Sequence, residues 1–127
     1  MCIRDRERIC KARYLTNNLN SIAGLTVPYE APGRTHIYHL YVVKIERQYR
    51  LSRDDLYRLL TNKGIGLSVH YVPLHKMSFY RALLKTGPQD FPVAEDLYTR
   101  ILSLPMFSKI RKGQVDYVVS QIRSLMT

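Results

Sequence analysis

Cysteine is scarce in this sequence. The two that occur, Cys2 and Cys10, stand at no metal or redox spacing, so no disulfide framework is expected and both read as free thiols. Long apolar runs are missing as well. Nothing approaches the roughly 18 residues that span a bilayer, so no transmembrane segment is expected. The first residues are charged throughout, which argues against a secretory signal and makes the cytoplasm the expected compartment. No internal repeat or low-complexity tract interrupts the chain. Acidic residues are few: 10 Asp and Glu stand against 20 Lys and Arg, a net charge of +10. A surplus of that size attracts nucleic acid, phosphates or acidic surfaces. Yet no block of five or six like charges occurs, and no aromatic RNA-binding signature accompanies the cations. Most of them read as solvated surface, with a minority facing an anionic ligand or partner.

What is present is patterned. A hydrophobic share of 46% over 127 residues fits one globular domain, short for an enzyme with its own cofactor site. The opening "MCIRDR" resembles translated sequencing-adapter sequence, so residues 1–6 are expected to be a non-native leader. Residues 7–127 then form a single domain that includes a first helix over 7–23. Ala12, Leu15, Leu19 and Ile22 give that helix one apolar stripe, and Gly24 is expected to end it. "HIYHLYVVKI" predicts a central strand covered on both faces. Ser52 and Asp55 suggest a capping box for a helix carrying Leu56, Leu59 and Leu60, closed by Gly64. "IGLSVHYV" predicts a second strand, and "MSFYRALL" one or two helical turns. "DFPVAEDLYTRIL" predicts a helix with proline in its first turn, followed by "SLP" as a short extended exit. Val115, Val118, Val119, Ile122, Leu125 and Met126 mark one face of a closing amphipathic helix. The expected class is α+β, a small antiparallel or mixed sheet with helices packed on one face.

Chemistry is sparse. On a strand, His36 and His39 point to opposite faces and cannot share an ion. His70 and His75 flank Pro73, but no cysteine or carboxylate nearby completes a four-ligand set, so no metal is expected. There is no serine in a glycine elbow. "NKGIGLS" precedes a strand, whereas a phosphate loop precedes a helix, so Gly64 reads as a helix cap and Gly66 as a close backbone approach. The question centres on "HYVPLH". Leu67, Val69 and Tyr71 share one strand face that looks buried, while His70 falls on the other with Ser68 and Val72. The rings are either packing material or the wall of a polar ligand site.

"KARYLTNNL", "HLYVV", "RDDLYRLLTNKGIG", "VHYVPLH", "FYR" and "DFPVAEDLYTRILSLPMF" follow one another in an order that resembles the C-terminal part of the DegT/StrS-type sugar aminotransferases. These are pyridoxal-phosphate enzymes of fold type I, and the likeness runs from about Glu7 to the end. It implies the small domain of a sugar-nucleotide transaminase, truncated at its N-terminus. Such an enzyme moves an amino group from an amino acid, usually glutamate, to a keto-sugar of a nucleoside diphosphate, for surface polysaccharide or glycan synthesis. It implies further that pyridoxal phosphate, its lysine and its phosphate cradle belong to a large domain preceding these residues. Neither a catalytic nor a cofactor-binding residue is then expected here, and this chain alone is expected to be inactive. The implied partners are the nucleotide-sugar, the amino donor and a second copy in a homodimer, with no membrane and no nucleic acid. His70, Tyr71, His75, Tyr80 and Arg81 are the expected substrate-binding residues. Where many relatives have "HLQPYYR" this chain has "HKMSFYR", which adds Lys76 and leaves the substrate open. The rival readings are a non-catalytic basic α+β module that binds RNA or another anion, and a family member that regulates rather than catalyses.

Overall fold

The computed structural model describes residues 3–47 and 49–126. Its helices follow the apolar stripes. Helix α1, Ile3–Leu19, buries Ile9, Ala12, Leu15 and Leu19, and starts four residues before the expected boundary. It also stops earlier than expected. Gly24 is no cap; it sits in the turn that follows, with φ +78°. A Cβ at Gly24 would lie 1.9 Å from Cδ2 of Tyr49, so the conformation and the neighbouring ring both demand glycine there. Helix α2, Arg53–Asn62, has the expected capping box of Ser52 and Asp55 and buries Leu56 and Leu60. Leu59 lies at the flank of that stripe and stays half-buried. Gly64 takes φ +76°, the left-handed stop anticipated for it. Helix α3 spans Ser78–Leu84, helix α4 spans Pro92–Arg100 and helix α5 spans Lys112–Met126. Cys10 is exposed and free, whereas Cys2 lies outside the described residues.

Three strands form one antiparallel sheet in the order β1-β2-β3: Leu25–Thr26, Tyr41–Ile45 and Ile101–Leu104. Leu25 lies opposite Ile45, Val43 opposite Leu102, and Tyr41 opposite Leu104. Tyr41, Val43 and Ile45 project into a core shared with Leu15 and Leu19 of α1, Leu56 and Leu60 of α2, and Ile122 of α5. This is the α+β arrangement expected. The phenol of Tyr41 is saved from orphanhood by Thr16, 2.8 Å away, and burial pushes its pKa up to about 12. Tyr14 donates to Asp116 at 2.6 Å and Lys112 pairs with the same carboxylate at 2.8 Å, locking α1 to α5.

Four expectations about extended segments fail, each for a local reason. β2 is central, but it starts at Tyr41 rather than His36. Tyr38 has φ +48° and its amide donates to His36 Nδ1 at 2.8 Å, so the chain turns there and neither His36 nor His39 is on a strand. Nor is β2 covered on both faces: Val42 and Lys44 are half-buried, and Lys44 reaches outward to Glu46 at 3.6 Å. Residues 65–72 are not a strand. They touch β3 through a single bridge, Ser68 to Ser103, which leaves too short a ladder to enforce alternation. Finally, Ile101 and Leu102 belong to β3, not to the preceding helix, so α4 passes into the sheet with no intervening loop.

Candidate functional site

The segment from Leu67 to Arg81 starts at the edge of the sheet and ends in α3. Leu67 and Val69 pack on the core as expected of that face. Tyr71 departs from them: it is 70% exposed, which corrects the expectation that it shares their burial. Without a ladder beyond Ser68, nothing holds residue 71 to the alternation. His70 is half-buried, and its Nδ1 shares a 2.8 Å hydrogen bond with Ser103 Oγ. Ser103 is itself buried in β3, on the side of the sheet away from Leu102 and Leu104, so β3 fixes the orientation of the imidazole. Nε2 of His70 has no partner among the described residues. The rings of His70 and Tyr71 meet edge to face at 4.6 Å.

Beyond Pro73 the chain makes a 3₁₀ turn, Leu74–Lys76. His75 in that turn is only 7% exposed. It stacks on Phe91 at 4.7 Å between ring centres, and its Nε2 donates to Glu95 Oε1 at 2.6 Å. Lys76 donates to the other oxygen of Glu95 at 2.7 Å and lies 5.6 Å from the centre of the Tyr98 ring. The hydrogen bond from Lys76, then that from His75, holds the Glu95 carboxyl below the usual carboxylate range. Tyr80 follows in α3, half-buried, its ring edge to face with Phe79 at 5.3 Å, while Arg81 is exposed. The structure thus pairs His70 with Tyr71 and, separately, anchors His75 on α4. Glu95, Phe91 and Ser103 went unnoticed in the sequence as partners of these histidines, because 16 to 33 residues separate each pair.

Two larger recesses lie elsewhere. One, of about 580 Å³, is lined by Arg47, Arg50, Arg53 and Arg100 among others. It looks made for an anion, but each guanidinium already has a partner. Arg47 pairs with Asp96 at 2.7 Å, Arg53 with Asp54 at 2.5 Å, Arg50 donates to the Leu125 carbonyl at 3.1 Å, and Arg100 is bonded to Asp96. The other, of about 550 Å³, is mostly apolar, between Ile65, Phe107 and Tyr117. None of the five expected ligand residues lines either one.

Residues 3–123 match the DegT/DnrJ/EryC1/StrS aminotransferase family. The chain is 32% identical over 123 residues to the spore coat polysaccharide biosynthesis protein SpsC of Bacillus subtilis, covering 95% of this chain and 31% of that protein. It is equally 32% identical over 121 residues to the erythromycin biosynthesis sensory transduction protein EryC1 of Saccharopolyspora erythraea, covering 94% of this chain and 31% of that one. Among solved structures it superposes on S. venezuelae DesV, crystallised in complex with a ketimine intermediate, with a TM-score of 0.87 and 28% identity, covering 97% of this chain and 32% of that one. The chain therefore spans about a third of the length of the relatives it matches. With the motif order, the α+β fold and the family match in agreement, the chain belongs to the DegT/DnrJ/EryC1/StrS aminotransferase family.

Proposed function

We propose that this chain is the C-terminal small domain, residues 7–127, of a pyridoxal-phosphate-dependent aminotransferase acting in the cytoplasm as a homodimer. Its substrates are an amino acid donor, glutamate first among them, and a keto-sugar carried on a nucleoside diphosphate, in the synthesis of a surface polysaccharide or glycan. The observation that carries the proposal is family membership over nearly the whole chain combined with coverage of a third of each relative. The cofactor supplies the electron sink for amino transfer. The described residues do not fit as its holder. Lys44, Lys76 and Lys112 pair with Glu46, Glu95 and Asp116, Lys11 donates to the Ser108 carbonyl, and no described lysine is buried. The anchoring lysine is accordingly assigned to the large domain, and this chain contributes a wall of the sugar site.

In that wall His70 is the strongest ligand candidate. Ser103 fixes its ring through Nδ1 and leaves Nε2 available to a hydroxyl or phosphate oxygen of the substrate. Tyr71 beside it offers a phenol, and Tyr80 and Arg81 offer a second phenol and a guanidinium for the diphosphate. The test has two parts. The chain alone, mixed with pyridoxal phosphate and reduced with borohydride, is expected to show no stoichiometric adduct on a single lysine. The full-length polypeptide is expected to transaminate a keto-sugar nucleotide, and His70→Ala to lose roughly ten- to a hundredfold in sugar-dependent kcat/KM. The donor half-reaction should be spared. A specific adduct on the isolated chain, or normal sugar turnover by His70→Ala, would overturn the respective assignment. The name of the EryC1 relative favours a second reading, a regulatory homologue; it would be indicated by a full-length protein that transaminates no sugar.

A further inference from the structure

The turn that carries His75 is gripped by one face of α4. Phe91 is the residue at the N-terminal cap of that helix, and Glu95 and Tyr98 follow within it at spacings of four and three. Phe91 stacks on the imidazole of His75, Glu95 divides its two oxygens between His75 and Lys76, and Tyr98 lies beneath the Lys76 ammonium. Tyr98 in turn receives Arg53, 5.6 Å from its ring centre, a buried side chain that donates to the carbonyl of Ile101 in β3 at 3.3 Å. No residue of α4 is fully buried, so this stripe does not exist to fill the core. What it grips is the link between His70–Tyr71 on one side and Tyr80–Arg81 on the other. His75 has its ring face and its Nε2 engaged, which leaves it little to offer a ligand and much to offer the placement of its neighbours.

We propose that Glu95 is a positioning residue for the sugar-nucleotide site, holding the 73–77 turn against α4 through His75 and Lys76 so that Tyr71, Tyr80 and Arg81 are set at fixed places in the wall. The proposal rests on the functional reading above. Lys76 is the chain's own addition to the pattern "HLQPYYR", so the second arm of the grip is a local elaboration and the His75 arm is the principal one. A neutral, apolar residue at 76 leaves one carboxylate oxygen with nothing to hold, while alanine at 95 releases both arms at once.

The experiment uses the full-length polypeptide and three variants, Glu95→Ala, Glu95→Gln and Lys76→Leu. Glu95→Ala is expected to raise the KM for the keto-sugar nucleotide by about tenfold and to leave the amino-donor half-reaction unchanged. Glu95→Gln keeps an acceptor for His75 and should recover part of that loss. Lys76→Leu should cost less than about threefold, since Lys76 is exposed and the buried His75 arm remains. A Glu95→Ala enzyme that melts earlier yet keeps its sugar KM within about twofold overturns the proposal, because the contact then only stabilises. A wild-type protein that transaminates no keto-sugar nucleotide defeats the functional reading instead. In that event the grip is judged by NMR on this chain: Glu95→Ala should shift the His75 imidazole nitrogens and the amides of 71–81. Unchanged spectra there sink it whatever the enzyme does.

Discussion

The half of the molecule built from α1, α2, α5 and the sheet, and the half running from Leu67 to Arg100, are held by different forces. In the first, side chains from four elements close around Tyr41, Val43 and Ile122, and the buried Tyr41 phenol is met by Thr16. In the second, α3 and α4 bury nothing completely, and Tyr71, Leu74, Phe79, Leu83, Leu84 and Val93 face outward. What fixes that half is polar: Ser103 to His70, Glu95 to His75 and Lys76, Asp96 to Arg47 and Arg100. Charge divides the same way. Residues 67–100 carry Lys76, Arg81, Lys85 and Arg100 against Asp90, Glu95 and Asp96, a net of +1, so nearly all of the surplus of +10 sits elsewhere. A near-neutral apolar surface on a basic molecule lacks the repulsion that keeps the rest apart. The first half closes around its own core, whereas the second leaves apolar side chains exposed.

Core deletions should show the contrast most strongly. Leu60→Ala or Ile122→Ala removes a fully buried side chain and should cost about 2–5 kcal/mol, read as a fall in the urea midpoint at constant m-value. A cost under about 1 kcal/mol would mean that the first half is loosely packed too. Gly24→Ala comes next, at about 1–3 kcal/mol, because a methyl there meets the Tyr49 ring and keeps an unfavourable positive φ. Measured in a Tyr49→Ala background, Gly24→Ala should lose the steric part of its cost and keep the conformational part.

Acid should act more gently. The carboxyls of Glu95, Asp96 and Asp116 are all held low, first by hydrogen bonds from Lys76, Arg100 and Lys112 respectively. A depressed folded-state value stabilises the fold above the unfolded value near 4, and that contribution is lost as pH falls through the lower, folded value. These pairs reach the surface, so thermal unfolding should show a modest decline confined to pH below about 4. Decline setting in at higher pH would point to other groups. The smallest effect on stability belongs to α3: Phe79→Ser with Leu83→Ser should change it by less than about 0.5 kcal/mol. The same double variant should lower hydrophobic-dye binding and self-association measured by sedimentation. A wild-type chain that is cleanly monomeric and binds no dye would remove the distinction between the two halves.

The same division decides what could be read from the sequence. α1, α2 and α5 were legible because a core-facing stripe must recur every three or four residues, and Leu15, Leu56 and Val118 obey it. The Ser52–Asp55 cap was legible because its partners are three residues apart. Residues 65–72 misled because alternation is also what a chain shows when it touches a sheet edge once and leaves. The burial of His75 was hidden because a histidine's surroundings depend on its partner, and Glu95 lies 20 residues away. The resemblance supplied the family; it could not supply which ring turns inward.

The direct passage from α4 to β3 has one more implication. Glu95 lies on the helix and Ser103 on the strand, with Arg100 followed at once by Ile101. The two anchors of His75 and His70 are therefore geared to each other, with no slack between them. A single residue inserted after Arg100 would advance the helix by about 100° relative to the strand, or else exchange every β3 side chain between its two faces. Either Glu95 would swing away from the turn or Ser103 would point into the core. Sequences of this type should accept changes of residue across 95–103 far more readily than changes of length.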